Sequence, residues 1–127
     1  MSQFERRSQS AAAAAALPIV TRLIATLEAE TRDLEQGRPA QFEAYSLRKN
    51  QALLELNRLI PALGRAIAAG PLREALADLQ AKLEVNRRAL AVRLKACAAV
   101  AEIIAHAIQD GQSDGTYSAL AWRRARE

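Results

Sequence analysis

Residues 72–110 contain neither proline nor glycine. Over that stretch the leucines, isoleucines and valines recur every three to four residues, and nothing alternates with a period of two. Alanine and leucine lose little side-chain freedom in a helix. The spacing therefore predicts one helix between Pro71 and Gly111, up to about 40 residues and ~60 Å long. A lone helix cannot bury its own apolar face, so the rest of the chain must supply neighbours. The fold class that follows is all-α: a long antiparallel helical hairpin with a shorter first helix, in coiled-coil-like packing.

The first helix is predicted over Pro18–Gln36. Its stripe is Val20, Leu23, Ile24, Leu27, Thr31 and Leu34, and Glu28 and Arg32 pair at i,i+4 on the wet side. Gly37 is a natural stop, with Pro39 just beyond it. The second helix starts near Pro39 or Ala40. Leu53, Leu56, Ile60, Leu63 and Ile67 give it a coiled-coil spacing, and Pro61 predicts a kink or break inside that run. Gly70 then stops it and Pro71 starts the third. Residues 1–16 read as a flexible lead or a frayed alanine helix interrupted near Pro18, residues 17–111 as the helical domain, and residues 112–127 as a flexible tail.

Arg6 and Arg7 precede "AAAAAALPIV", an arrangement that imitates a signal peptide. The run is mostly weakly hydrophobic alanine, ends at Thr21–Arg22 and passes straight into an amphipathic pattern. It also falls short of the roughly 20 apolar residues that span a bilayer. Neither secretion nor membrane insertion is expected.

On a wheel, Leu72, Leu76, Leu79, Leu83, Leu90, Leu94, Cys97, Ile104 and Ile108 form one stripe of the third helix. Val85, Ala89, Val92, Ala96 and Ile103 form a second beside it. The two cover more than half the circumference, and an arc that wide needs more than one neighbour. Helices 1 and 2 can cover part of it. The remainder is left for a complete three-helix core, a second copy of the chain, or a partner's helix. Asn86 and Arg93, seven apart, interrupt the first stripe. A buried asparagine can set helix register, whereas an arginine lays its stem along a seam and keeps its head wet. Asp78–Lys82, Glu84–Arg88 and Glu102–His106 are i,i+4 pairs along the same helix.

No catalytic constellation is present. His106 is the sole histidine and Cys97 the sole cysteine, which excludes an internal disulfide and most soft-metal sites. The pair His106–Glu102 is ordinary surface chemistry, and Cys97 on the apolar seam reads as a small hydrophobe. The five glycines never form a phosphate-cradling loop. The chain is therefore expected to be no enzyme, with no cofactor, metal or small-molecule substrate. The net charge is +4, and Arg87, Arg88, Arg93 and Lys95 suggest a basic cluster. On the wheel Arg93 points away from Arg88 and Lys95, and no aromatic platform accompanies them. Arg123, Arg124 and Arg126 add a second basic patch. Nucleic-acid binding is a minor alternative.

The order of these segments resembles the flagellar export chaperones of the FlgN type. "LEAETRDLEQGRPAQFEAYSLRKNQALLELNRL" is similar to their first half, a glutamate-bearing leucine helix, a short glycine turn and a second helix with a basic pair, here Arg48–Lys49. "LEVNRRALAVRLKACAAVAEIIAHA" resembles their long last helix, and "DGTYS" their polar tail with a tyrosine. The resemblance covers most of residues 18–118. It implies a small cytoplasmic helical chaperone that holds hook–filament junction proteins through the C-terminal part of the last helix. On this chain that part carries Leu90, Leu94, Cys97, Val100, Ile104 and Ile108. It also implies that Tyr117 docks on the cytoplasmic domain of the export gate. "ALAWRRARE" has no counterpart in the family pattern, so Trp122 and the terminal arginines take no role from it. A dimeric coiled-coil adaptor with no export role is the competing expectation.

Overall fold

The computed structural model describes residues 2–38 and 41–113. Among these residues are three α-helices and one short 3-10 helix, and no strand. The helices are α1 (Gln3–Glu35), α2 (Phe42–Leu63) and α3 (Gly70–Ser113), with the 3-10 helix at Gly64–Ala68. The chain divides into two compact units, Met1–Leu90 and Ala91–Glu127.

The first helix begins at Gln3, not near Pro18, so residues 3–16 are closer to the alanine-helix reading than to the flexible lead, and the helix is not interrupted at Pro18. A capping box starts it. The Ser2 hydroxyl accepts from the Glu5 N–H at 3.1 Å, and the Glu5 carboxylate accepts from the Ser2 N–H at 3.3 Å. The alanine run then propagates the helix through Pro18. A proline there removes one backbone donor and crowds the preceding turn, at a cost of ~3 kcal/mol. That cost is offset because Ala12, Ala16, Val20, Leu23 and Leu27, on both sides of the proline, lie buried on one continuous stripe. At 33 residues α1 is longer than the 22-residue α2, so the expected shorter first helix is also corrected. Pro18 is exposed, and Pro18→Ala restores the donor without touching the core. The substitution is expected to raise the unfolding free energy by ~1–2 kcal/mol, part of the gain being lost to a freer unfolded chain. Chemical denaturation monitored by circular dichroism measures it.

The extra turns change the membrane reading as well. A stretch of α1 with mean hydropathy 1.6 is long and apolar enough to cross a membrane by length and composition, where the sequence run had looked too short. Its Ala16, Val20, Leu23 and Leu27 are also the centre of the first unit's core.

In that unit α2 runs antiparallel to α1. Arg22 pairs with Glu55 at 2.6 Å, Glu30 with Lys49 at 2.8 Å, and the Tyr45 hydroxyl donates to Asp33, so partner numbers fall as α1 numbers rise. Asp33 also takes Arg38 at 3.2 Å, just beyond the end of α1. Donation to this carboxylate raises the Tyr45 phenol above its ordinary range, and partial burial and the Asp33 charge act in the same direction. The inner face of α2 is Ala52, Leu56, Leu59 and Leu63. Leu53, Ile60 and Ile67, expected on the seam, are each 40% exposed or more. Pro61 lies inside α2, which ends two residues later and tightens into the 3-10 helix. Gly64 makes that corner with φ +52, and a Cβ on it would run into the Gln9 side chain.

From α3 the first unit takes Leu72, Leu79 and Asn86, which are buried, with Ala75 and Leu76 beside them. Leu83, placed on this stripe by the wheel, is 39% exposed. Lys82 reaches across to Glu28 at 3.4 Å and not to Asp78, so α1 and α3 are joined by an interhelical pair.

Candidate functional site

The six candidate client-binding residues divide between the units. Leu90 is the last residue of the first unit and is half-buried. Leu94, Cys97, Val100, Ile104 and Ile108 belong to the second. In that unit every residue from Leu94 to Gln112 is exposed. Leu94 is 72% exposed, Val100 and Ile104 54%, and Ile108 57%. Val92 at 70% and Ile103 at 68% lie on the neighbouring stripe. Cys97 is a free, exposed thiol, not a covered hydrophobe. Single exposed aliphatic residues are common on proteins, but six on one short length of helix form a contiguous apolar face.

The surroundings of these side chains are small. Ala91, Ala96, Ala98, Ala101, Ala105 and Ala107 separate them, so a second helix can approach closely. Charge is polarised along the segment: Arg93 and Lys95 stand at its beginning, Glu102 and Asp110 towards its end. His106 Nε2 is 4.0 Å from Glu102 on the wet side. Tyr117, the candidate docking residue, lies outside the described residues.

A second constellation escaped sequence reasoning. Glu30 is only 1% exposed, and its Oε1 accepts from Lys49 Nζ at 2.8 Å and from Asn86 Nδ2 at 2.9 Å. Asn86 Nδ2 also donates to the Thr31 hydroxyl at 3.1 Å. One carboxylate thus joins α1, α2 and α3. Asn86 was visible as a polar residue on an apolar seam, and the structure gives it two partners on α1. The signal for Glu30 was also there: 20, 23, 27, 30 and 34 follow a 3-4-3-4 spacing, with Glu30 at the fourth position. This cluster positions the three helices.

The basic cluster is internally compensated. Arg87 and Arg88 both bind Glu84, at 2.7 and 3.1 Å. The Arg87 hydrogen bond is the chief reason the Glu84 carboxyl is lowered to about 2, and the Arg87 guanidinium is raised in return. Two of the four cations of the suggested basic cluster are thus engaged within their own helix. Among the described residues no group of three or more His, Cys, Asp and Glu is placed to hold a metal ion. No family model matches the chain, and no significant match was found among curated proteins or solved structures.

Proposed function

We propose that this chain is a cytoplasmic, non-enzymatic export chaperone that binds hook–filament junction proteins and delivers them to the flagellar export gate. The observation that carries the reading is the exposed apolar face of α3 formed by Leu94, Val100, Ile104 and Ile108. A client helix laid on that face buries aliphatic surface on both partners, which is the helix-in-groove mode of recognition. In this reading the helices of the first unit act as an antiparallel, coiled-coil-like holder. Cofactors and nucleic acid have no part in the cycle. The test is recovery of the proteins bound to the chain in its own cells: junction proteins support the reading, and a wholly unrelated set discards it.

The tail supplies the second contact. Asp114–Gly115 is turn-forming and no apolar periodicity flanks Tyr117. A short docking peptide with one aromatic anchor binds weakly and reversibly, as a hand-over step requires. Tyr117→Ala is expected to remove roughly 2 kcal/mol of affinity for the cytoplasmic domain of the export gate. Client binding and melting temperature should stay within error of the parent. Loss of several degrees of melting temperature together with client binding would instead make Tyr117 a packed residue.

A further inference from the structure

We infer that residues 94–113 of α3 are an order–disorder element of their own: in the free chain this half of the helix opens and reforms independently, with its two forms near balance, while the half that ends at Asn86 is held by the core. The opening stands apart from the export reading; only its coupling to client binding rests on that reading.

α3 is one helix from Gly70 to Ser113, but its support changes along its length. Leu72, Leu79 and Asn86 are buried, and Asn86 is bonded to Glu30 and Thr31 of α1. Among the described residues Asn86 is the last buried one of α3. Leu90 and Arg93 are half-buried, and every residue from Leu94 to Gln112 is exposed. Most of a helix's stability in a protein comes from packing its apolar face, and where that packing is missing only intrinsic propensity is left. Exposed backbone hydrogen bonds with no buried side chains around them mark the low-stability end of a fold.

Propensity in this stretch is close to balance. Ala96, Ala98, Ala99, Ala101, Ala105 and Ala107 favour helix. Val100, Ile103, Ile104 and Ile108 lose side-chain freedom in it, and Gly111 weakens its last turns. No basic residue stands in the last turn to offset the macrodipole. The Glu102–His106 pair is long, at 4.0 Å, and both side chains are well exposed, so it adds little. The helix continues past Arg93 because the anchored half supplies the preceding turn, and no new nucleus has to form. The same continuity lets it fray back to that boundary without disturbing the first unit's core. A partner that binds the helical form must then draw on a fractional population, so its affinity follows helix propensity even at positions it never touches.

Ala99 is such a position. It is exposed, and on the wheel it lies opposite Leu94, Ala101, Ile104 and Ile108. Hydrogen–deuterium exchange of the full chain reads the two halves separately, since helix–coil relaxation in about a microsecond is far faster than exchange itself. Amides of residues 98–112 should be slowed about tenfold or less relative to an unstructured peptide, and those of Leu23, Leu27 and Leu56 roughly a thousandfold or more. Ala99→Gly should remove the remaining protection over 98–112 and leave the main melting transition unchanged. It should also weaken binding of a purified junction-protein client about fivefold. Amides of 98–112 protected to within tenfold of Leu27 overturn the inference, because the segment is then held by the rest of the fold. A main transition lowered by several degrees in Ala99→Gly overturns it for the same reason. A client bound equally well by the parent and by Ala99→Gly overturns the coupling. A client that never binds sinks the export reading and leaves the exchange result standing.

Discussion

Lys49→Met is expected to lower the unfolding free energy by about 3 kcal/mol and the melting temperature by roughly 10 °C, the largest stability loss of any exchange at a residue that is not itself in the apolar core. Glu30 is 1% exposed, and its carboxylate is compensated by the Lys49 ammonium at 2.8 Å and the Asn86 amide at 2.9 Å. Methionine keeps the volume and apolar stem of the lysine but removes the cation. The carboxylate is then left with one neutral donor in a region closed to water, and an uncompensated buried charge is far costlier than a lost hydrogen bond. Lys49 keeps some access to solvent, with a side chain 19% exposed, which places the expected loss at the low end of the range for buried pairs. A second variant separates charge from packing. Replacing Glu30, Lys49 and Asn86 together by leucine removes all three polar partners, so stability should return close to that of the parent. What the triple variant should lose is register, seen as broadened amide resonances or a less cooperative transition. A single Lys49→Met variant as stable as the parent would show that Glu30 is reached by water and that the cluster does not hold the helices together.

The helical class was legible because alanine, leucine and the absence of alternation all point one way. The third helix was read almost to the residue, since no breaker occurs between Pro71 and Gly111 and its observed span is Gly70–Ser113. The start of α1 was not legible. Pro18 is a strong local signal, and local signals rank a proline above a run of alanines. The tertiary term that outweighs it, one buried stripe from Ala12 to Leu27, exists only when α2 and the start of α3 are in place. The same holds for Glu30: its spacing put it on the stripe, but its charge argued for solvent until Lys49 and Asn86 were seen to converge on it. On α2 the fault was one of phase. Leu53, Leu56 and Ile60 and their neighbours Ala52, Leu56 and Leu59 both fit a helical period, and the smaller Ala52 faces α1 because it permits the closer approach. In the candidate site the apolar pattern of residues 94–108 was plain in the sequence. Its exposure was not, because a stripe that awaits a partner and a stripe that is already core have the same spacing.

That last distinction is what Ile104→Asp decides. In the free chain the Ile104 side chain is 54% exposed, so an aspartate there stays hydrated and costs only the difference in helix propensity, ~0.5 kcal/mol. Leu27→Asp, at a position 1% exposed, should by contrast unfold the first unit. On the proposed client face the result reverses. A client helix that covers residue 104 strips water from the new carboxylate and offers it no cation, at a cost of several kcal/mol, so affinity for a junction-protein client should fall more than a hundredfold. Ile104→Leu keeps the apolar area and should bind within a few-fold of the parent, which separates loss of the face from a change of shape. Calorimetric titration with purified client, beside circular dichroism of each variant at about 1 µM to limit self-association, measures the two effects independently. Helix content retained with binding lost places the client on this face. Binding retained by Ile104→Asp moves the client elsewhere. A melting temperature that falls by several degrees even at high dilution would mean that residue 104 is already covered within its own chain, and an apolar face closed in that way has nothing left to offer a partner.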